Sequence, residues 1–327
     1  MVNRGRGVAP ILVAAVLWGT TGTAAHFLPD SVSPLATGAA TMAVGGALLF
    51  ALTSRGAVRA IRDRSARRLL VVGVLGIVVY PLAFYSSMHL AGVAMGTVVS
   101  LASAPVFAGL IDFLRDKHGG LTARWAGCTA TALVGTALLV IGRPAVAGAD
   151  GSAALGVFLG LAAGLSYAVY TDSSHRLIGR GHGSNATMGA LFGLGALCLL
   201  PVLVATGGPL LTSAGSIGIS AYLAIGPMFA AYLLFGAGLR HVRSSTATTL
   251  TLVEPLVATL LAVLVVGERL HPFGWAGLVL LLAGVVALVW PGRAKPEAFR
   301  VESRHARWRV GGPGRLRTTR GTRSARR

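Results

Sequence analysis

Charge is what this sequence has least of. Only 12% of its 327 residues are charged, about half the roughly 25% of an ordinary soluble domain. Acidic residues are scarcest, with ten Asp and Glu against 29 Lys and Arg. So few charges cannot clothe a large water-facing surface. Cysteine is also rare. Cys128 and Cys198 both lie inside apolar runs, so no disulfide framework or metal-ligand spacing can be built from them. They read as small buried hydrophobes. No GxxxxGK[ST] loop occurs, so the chain itself should not hydrolyse ATP. An enzyme would need paired carboxylates, a His cluster or a nucleophile beside its base at one depth. None is evident, and no catalytic residue, metal or cofactor is expected.

Apolar residues are what remain. They make up 54% of the chain, mean hydropathy is +0.72, and there are 45 glycines, about twice the usual share of roughly 7%. A membrane-spanning helix needs about 20 mostly apolar residues. Ten runs qualify, at about 9–28, 34–53, 69–88, 92–114, 123–142, 153–174, 186–205, 214–236, 245–267 and 272–290. A soluble helical protein would carry a polar face on each helix, and these runs have none. The basic start and apolar stretch "MVNRGRGVAPILVAAVLWGTTGTAAHFL" could be mistaken for a signal peptide. Nine further runs follow it, and it reads as an uncleaved first membrane helix. The expected fold class is an all-α integral membrane protein.

The net charge of +19 does not point to nucleic acid. Twelve Lys and Arg fall in the last 35 residues, and most of the others sit in short gaps between runs. Counted by alternate loops, 27 lie on one side, and only Arg143 and Arg269 on the other. The positive-inside rule then places both termini in the cytoplasm, with the chain in the plasma (inner) membrane. The tail, 293–327, reads as disordered. Its arginines suit anionic headgroups, each worth about 1 kcal/mol near the surface. The partners expected are a small-molecule substrate and the lipid bilayer, and no nucleic acid.

The two halves echo each other at an offset of about 150 residues. "RWAGCTATALVG" (Arg124–Gly135) resembles "GWAGLVLLLAG" (Gly274–Gly284). "SLASAPVFAGLIDFL" (Ser100–Leu114) lies over "LTLVEPLVATLLAVL" (Leu250–Leu264), pairing Ala104-Pro105 with Glu254-Pro255. More weakly, "AVLWGTTGTAAHFL" lies over "GLSYAVYTDSSHRL", pairing Trp18 with Tyr167. Five spans per half is an odd number, so the repeats are inverted. Inverted repeats are common in secondary transporters, whose substrate site lies near the midplane. The units expected are 1–143 and 144–292, one five-helix repeat each, then the tail. GxxxG patterns at Gly156, Gly160 and Gly164, at Gly92 and Gly96, and at Gly189 and Gly193 read as helix-packing devices.

These segments, with "LWGTTGTA" in the first run and "LVEPLVATLLAVLVVGERLHPFGWAGLVLLLAGVVAL" near the end, resemble the EamA-like transporters of the drug/metabolite transporter superfamily. The resemblance covers about residues 8–292. It implies ten helices in two inverted five-helix repeats, cytoplasmic termini, a central cavity, and export or exchange of small metabolites. One departure stands out. In many relatives the fourth helix ends in a Gly-Glu like Gly267-Glu268. Here that place reads "IDFLRDKHGG", and either Asp112 or Asp116 substitutes or the feature is lost.

Depth singles out one ionisable residue. At 1.5 Å per residue, Glu254 lies roughly 15 Å into its run, near the middle of a hydrocarbon core about 30 Å thick. Asp112 and Asp172 are placed close enough to run ends to reach the interface. A charge at Glu254 would cost about 2.5–3.5 kcal/mol on insertion scales, so this residue should face a cavity or a partner, or be protonated. At helical spacing Ala247, Thr251, Glu254, Ala258 and Ala262 share a small or polar side. Pro255 has no N–H and frees a carbonyl one turn back. Glu254 and Pro255 together read as a polar hinge at a cavity wall. The competing reading is a carboxylate satisfied by a neighbouring helix.

Trp18 lies roughly 14 Å deep, where membrane tryptophans are uncommon. Trp18, Tyr167 and Tyr170 are candidates for cavity lining, with ordinary bundle packing as the alternative. Thr251 joins them as a candidate. Pro81, Pro105, Pro227 and Pro255 are hinge candidates. Glu268 reads as a helix-end carboxylate and Trp290 as an interfacial anchor. The function expected is a secondary active transporter exporting a small metabolite, amino acid or amphipathic compound by alternating access, with Glu254 able to couple proton entry to substrate exit. The alternative is a membrane receptor or scaffold that binds without transport.

Overall fold

A computed structural model describes residues 4–91, 93–115, 121–141, 153–267 and 269–290. Gly92, Asp116, Arg143, Glu268, the expected repeat boundary at 143/144 and the tail from 293 lie outside the described residues. Among those described, all regular structure is helical. The first span is α1 (Arg4–Gly19) and α2 (Thr21–His26), parted at Thr20. Spans two to seven are single helices: α3 (Pro34–Arg62), α4 (Arg67–Ala91), α5 (Val93–Arg115), α6 (Ala123–Ile141), α7 (Ala153–Gly179) and α8 (Ser184–Thr206). The eighth is α9 (Ala214–Leu223), a wide π-type segment at Ala224–Ala230, and α10 (Ala231–Leu239). The ninth is α11 (Ser244–Leu250), α12 (Val253–Leu261) and a terminal π turn. The tenth is α13 (Pro272–Val289). Nine of these spans are long and apolar enough to cross a membrane among the described residues, and the 19-residue α6 makes the tenth.

Local sequence sets several ends. Ser33 Oγ accepts from Ala36 N at 3.1 Å, with Pro34 in the first turn of α3. An oxygen cap and an N-terminal proline both suit a helix start. Gly267, at φ +80°, ends the ninth span in the left-handed conformation that glycine adopts without a Cβ clash.

The packing is inverted relative to a soluble protein. Large side chains face outward: Leu197, Leu264 and Val204 are 67–78% exposed. Many contacts between helices involve Ala, Gly, Ser and Thr. In lipid, apolar side chains gain little by leaving the surface, so close backbone approach drives association instead. A methyl group on Gly135 would come within 2.3 Å of Leu281 N, and one on Gly277 within 2.6 Å of Gly135 O. Spans five and ten therefore cross backbone to backbone. The glycines at 156, 160 and 164 seat the sixth span against the third and fourth in the same way. Cys128 is buried as expected, but Cys198 faces outward. Its helix is apolar all round, so the sequence carried no mark of which side faces lipid.

Neighbour relations carry the repeat. Span two packs on seven, five on ten, three on six, and four on six, while span one packs on eight and nine. Exchanging the halves maps two–seven and five–ten onto themselves. It maps three–six onto eight–one and four–six onto nine–one. The pattern survives the exchange, as expected of two inverted five-helix repeats.

Contacts between loops define two faces. Arg180 Nη1 donates to Ser65 O at 2.8 Å, and His182 Nε2 lies 3.1 Å from Asp63 Oδ2. His175 Nδ1 lies 2.9 Å from Leu239 O, and Arg124 reaches Ala287 O at 2.6 Å. These residues gather on one arginine-rich face. On the other, Val32, Ala36, Ala40 and Leu210 form a separate apolar cluster.

Candidate functional site

A cavity of about 150 Å³ opens between the two halves. Its deeper wall holds Trp18, Tyr80, Tyr167, Tyr170, Tyr232 and Glu254. Thr37, Gly38 and Thr41 from the first turns of α3, and Phe84 and Tyr85 from the last turns of α4, line its mouth. Both of those helix ends belong to the arginine-poor face, so the cavity lies toward that face.

Glu254 reaches this wall because the ninth span breaks beside it. Pro255 cannot donate to Thr251 O. That carbonyl instead accepts from Glu254 N at 2.9 Å, while Leu252 N bonds to Thr249 O at 3.2 Å. The tightened turn separates α11 from α12, so the single helical face expected from Ala247 to Ala262 is interrupted at Thr251–Leu252. Glu254 is half-buried. Among the described residues no hydrogen bond or ion pair engages its carboxylate.

Thr251 and the aromatics form a hydroxyl and ring lattice beneath the cavity. Tyr167 OH donates to Thr251 Oγ1 at 3.0 Å, and that hydroxyl donates to Thr248 O at 2.9 Å. Tyr170 OH lies 3.2 Å from Tyr232 OH. The rings of Tyr167 and Tyr170 stack at 5.1 Å, and Tyr80 meets Tyr167 edge-on at 5.6 Å. Trp18 packs its ring 4.9 Å from Tyr232 and donates from Nε1 to Pro227 O at 2.7 Å. The first span can approach because Gly19 carries no side chain: a methyl there would sit 2.6 Å from Val257 Cβ and 2.9 Å from Glu254 O.

The structure thus brings Trp18, Tyr167, Tyr170, Thr251 and Glu254 together. The prolines divide. Pro227 and Pro255 sit at helix interruptions, whereas Pro81 and Pro105 lie inside unbroken helices. Pro81 and Pro227 also line the cavity, and Pro105 does not. Tyr80, Tyr85 and Tyr232 were not singled out as binding residues from sequence. Tyr80 and Tyr232 lie well inside their spans, away from the interfacial belts, and that depth was the usable signal.

Two acidic residues stand elsewhere than the sequence suggested. Asp172 is buried rather than open to solvent. Helix α7 runs on to Gly179, leaving Asp172 5% exposed and paired with Arg115. Asp112 makes no Gly-Glu-like helix end. Its Oδ2 accepts from Ser245 N at 3.2 Å, tying the fourth span to the start of the ninth. Both contacts lie on the arginine-rich side of the tyrosine lattice, which they help to close.

The profile of the EamA-like transporter family matches residues 5–141 and again 154–290. The chain belongs to that family. This EamA-like protein is 32% identical over 282 residues to the uncharacterized transporter YwfM of Bacillus subtilis (strain 168), covering 85% of the chain and 92% of that protein. It is 27% identical over 300 residues to the uncharacterized inner membrane transporter YicL of Salmonella typhimurium, covering 90% and 98%. One solved crystal structure superposes with a TM-score of 0.74 at 20% identity, covering 87% of this chain and 96% of that one; this likeness concerns the fold. The EamA-like chain is a multi-pass membrane transporter.

Proposed function

We propose that the protein is a secondary active exporter of a small organic compound, working by alternating access across the inner membrane. The arginine-rich face would be cytoplasmic, with both termini there. The observation that carries the reading is a half-buried carboxylate with no hydrogen-bond or ion-pair partner among the described residues, set on an aromatic cavity wall beside a break in its own helix. Irregular backbone at membrane depth is tolerated where it lines a cavity, and an intramembrane ionisable residue marks a transport or proton path by default.

The cavity limits the substrate. A volume of about 150 Å³ is that of a cavity holding benzene. One carboxylate among seven aromatic side chains suits a small amine, amino acid or aromatic metabolite. Substrate would bind over Tyr167 and Tyr170 with its polar end at Glu254. Proton binding at Glu254 would weaken that contact and release the substrate outward. Trp18 would then relay cavity occupancy to the eighth span through Pro227.

The test compares external metabolites of cells expressing the wild type, Glu254→Gln or an empty vector at matched levels. The expected result is one compound accumulating outside with the wild type, and at least tenfold less with Glu254→Gln. Equal export by the Gln variant would make Glu254 structural. Ligand binding by the purified protein without any flux in vesicles would replace the exporter with a receptor.

A further inference from the structure

A second cavity, of about 680 Å³, lies on the arginine-rich face between α4, α5 and α7. It shares no residue with the first. Five guanidinium groups line it, from Arg64, Arg68, Arg115, Arg176 and Arg180, against the single carboxylate of Asp172. That leaves an excess of four positive charges at one membrane-facing site. Asp172 is engaged by Arg115, and Arg180 is held by Ser65 O. Among the described residues, no hydrogen bond or ion pair within 4 Å engages the guanidinium of Arg64, Arg68 or Arg176. Like charges crowded at the edge of a low-dielectric slab repel one another, so the arrangement calls for an anion.

The remaining wall is apolar: Leu69, Val72, Ile111 and Val169. Its rim continues into lipid-facing surface. Val72 is 45% exposed, with Leu75 at 58% beside it on α4 and Leu110 and Leu114 at 50% and 62% on α5. A cavity that is cationic at the water end and apolar toward the bilayer matches a headgroup joined to acyl chains. Guanidinium forks pair with phosphate through two parallel N–H donors, and basic pockets between membrane helices hold anionic headgroups.

We propose that this cavity binds a phosphate-bearing anion, with an anionic phospholipid of the adjoining leaflet as its source. Arg68 and Arg176 grip the phosphate, and Val72 and Ile111 take the first acyl carbons. The site is separate from the substrate cavity and does not depend on what the protein exports.

The test uses the full chain, delipidated in neutral detergent and titrated with phosphatidylglycerol, phosphatidylcholine or glycerol 3-phosphate, with bound species read by native mass spectrometry. The wild type should retain phosphatidylglycerol in preference to phosphatidylcholine. The double variant Arg68→Gln/Arg176→Gln should bind phosphatidylglycerol at least tenfold more weakly. Arg59→Gln/Arg240→Gln, on exposed arginines outside the cavity, should bind like the wild type. The tail is common to all variants, so its contribution cancels. If the Gln pair does not fold, Arg68→Lys/Arg176→Lys keeps the charge, loses the fork, and should weaken binding several-fold. Glycerol 3-phosphate failing to displace the lipid supports the membrane source. Its displacing the lipid at similar concentration overturns that source and leaves a soluble phosphate ester as the ligand. Unchanged binding in the cavity variants, or an equal loss in the Arg59/Arg240 control, overturns the site.

Discussion

Spans one, eight and nine form one group of neighbours, and spans six, three and four form its repeat counterpart. In the second group every helix runs unbroken, and the three pack extensively on one another. In the first group every span is interrupted: at Thr20, at Ala224–Ala230 and at Thr251–Leu252. The substitutions between repeats explain much of this. Extending the pairing of Trp18 with Tyr167, the sixth span presents Gly156, Gly160 and Gly164 where the first presents Gly7, Ile11 and Ala15. Ile11 and Ala15 replace two of those glycines, and the first span's close backbone approaches fall at Gly7, against Gly238 O, and at Gly19, against Glu254 O. Where the sixth continues as Tyr167-Ala168-Val169-Tyr170, the first reads Trp18-Gly19-Thr20-Thr21, and glycine and threonine are poor helix formers. The prolines are shared, yet only Pro227, behind Gly226, and Pro255, behind Glu254, accompany a break. Bordering the cavity is not enough to break a helix, because α4 and α7 line it through Tyr80, Pro81, Tyr167 and Tyr170 and stay continuous. Both groups line the cavity, one through continuous helices and the other through interrupted ones.

The comparison can be attacked from the broken side first. Pro255→Ala returns an N–H to the ninth span and removes a clash that costs about 3 kcal/mol in a helix interior. We expect the span to heal, thermal stability to rise, and export to fall at least tenfold, about 1.4 kcal/mol in the barrier. Pro105→Ala should leave export near wild type. Equal effects in a flux assay would mean that the break at Pro255 is incidental.

Moving the carboxylate tests the other side. Ala104 is 1% exposed in an unbroken helix, so Ala104→Glu would place an unpartnered acid at depth. A cost of about 2.5–3.5 kcal/mol on insertion scales should appear as lost membrane yield. This variant should not rescue Glu254→Ala, because position 104 lines no part of the substrate cavity.

Close packing comes next. A methyl on Gly164 would meet Ser100 O at 2.8 Å and Ala104 N at 3.1 Å. Gly164→Leu should destabilise the purified protein by about 1–3 kcal/mol through overpacking, read from unfolding in detergent. Ala15→Leu, at the matching place in the first span, should cost less, because that position already accommodates a methyl group.

The smallest effect expected is at Asp63, in the loop joining spans two and three. Hydrogen bonds from Ser65, and after them the His182 ring, hold its carboxyl below the ordinary carboxylate range. A depressed folded-state value means a stabilising contribution that is present above the unfolded-state pKa and lost as pH falls through the folded one. Asp63→Asn should therefore lower the melting temperature slightly at pH 7 and not at all well below pH 3.8. A difference that persists in acid would trace to the loop's shape rather than its charge.

The ten spans, the inverted repeat and the depth of Glu254 were legible because each rests on a linear property: run length, parity and position along a helix. The cavity aromatics were legible in part. Trp18, Tyr167 and Tyr170 stood out by depth, but Tyr85 sits near the end of its run and looks like an interfacial residue. The burial of Asp172 was not legible because apolarity fades before α7 ends at Gly179 and its partner Arg115 is distant in sequence. The outward face of Cys198 left no trace in a helix that is apolar on every side.

The sequence by itself determined that this chain lives in a bilayer and how many times it crosses, since hydrocarbon thickness and hydropathy act on the chain one segment at a time. Only the tertiary structure decided which prolines break their helices, which tyrosines reach one cavity, and that five arginines from α4, α7, the α5 end and the adjoining loops surround a second one. Those outcomes depend on how closely neighbouring backbones approach, and that distance is set jointly by side chains far apart in the sequence.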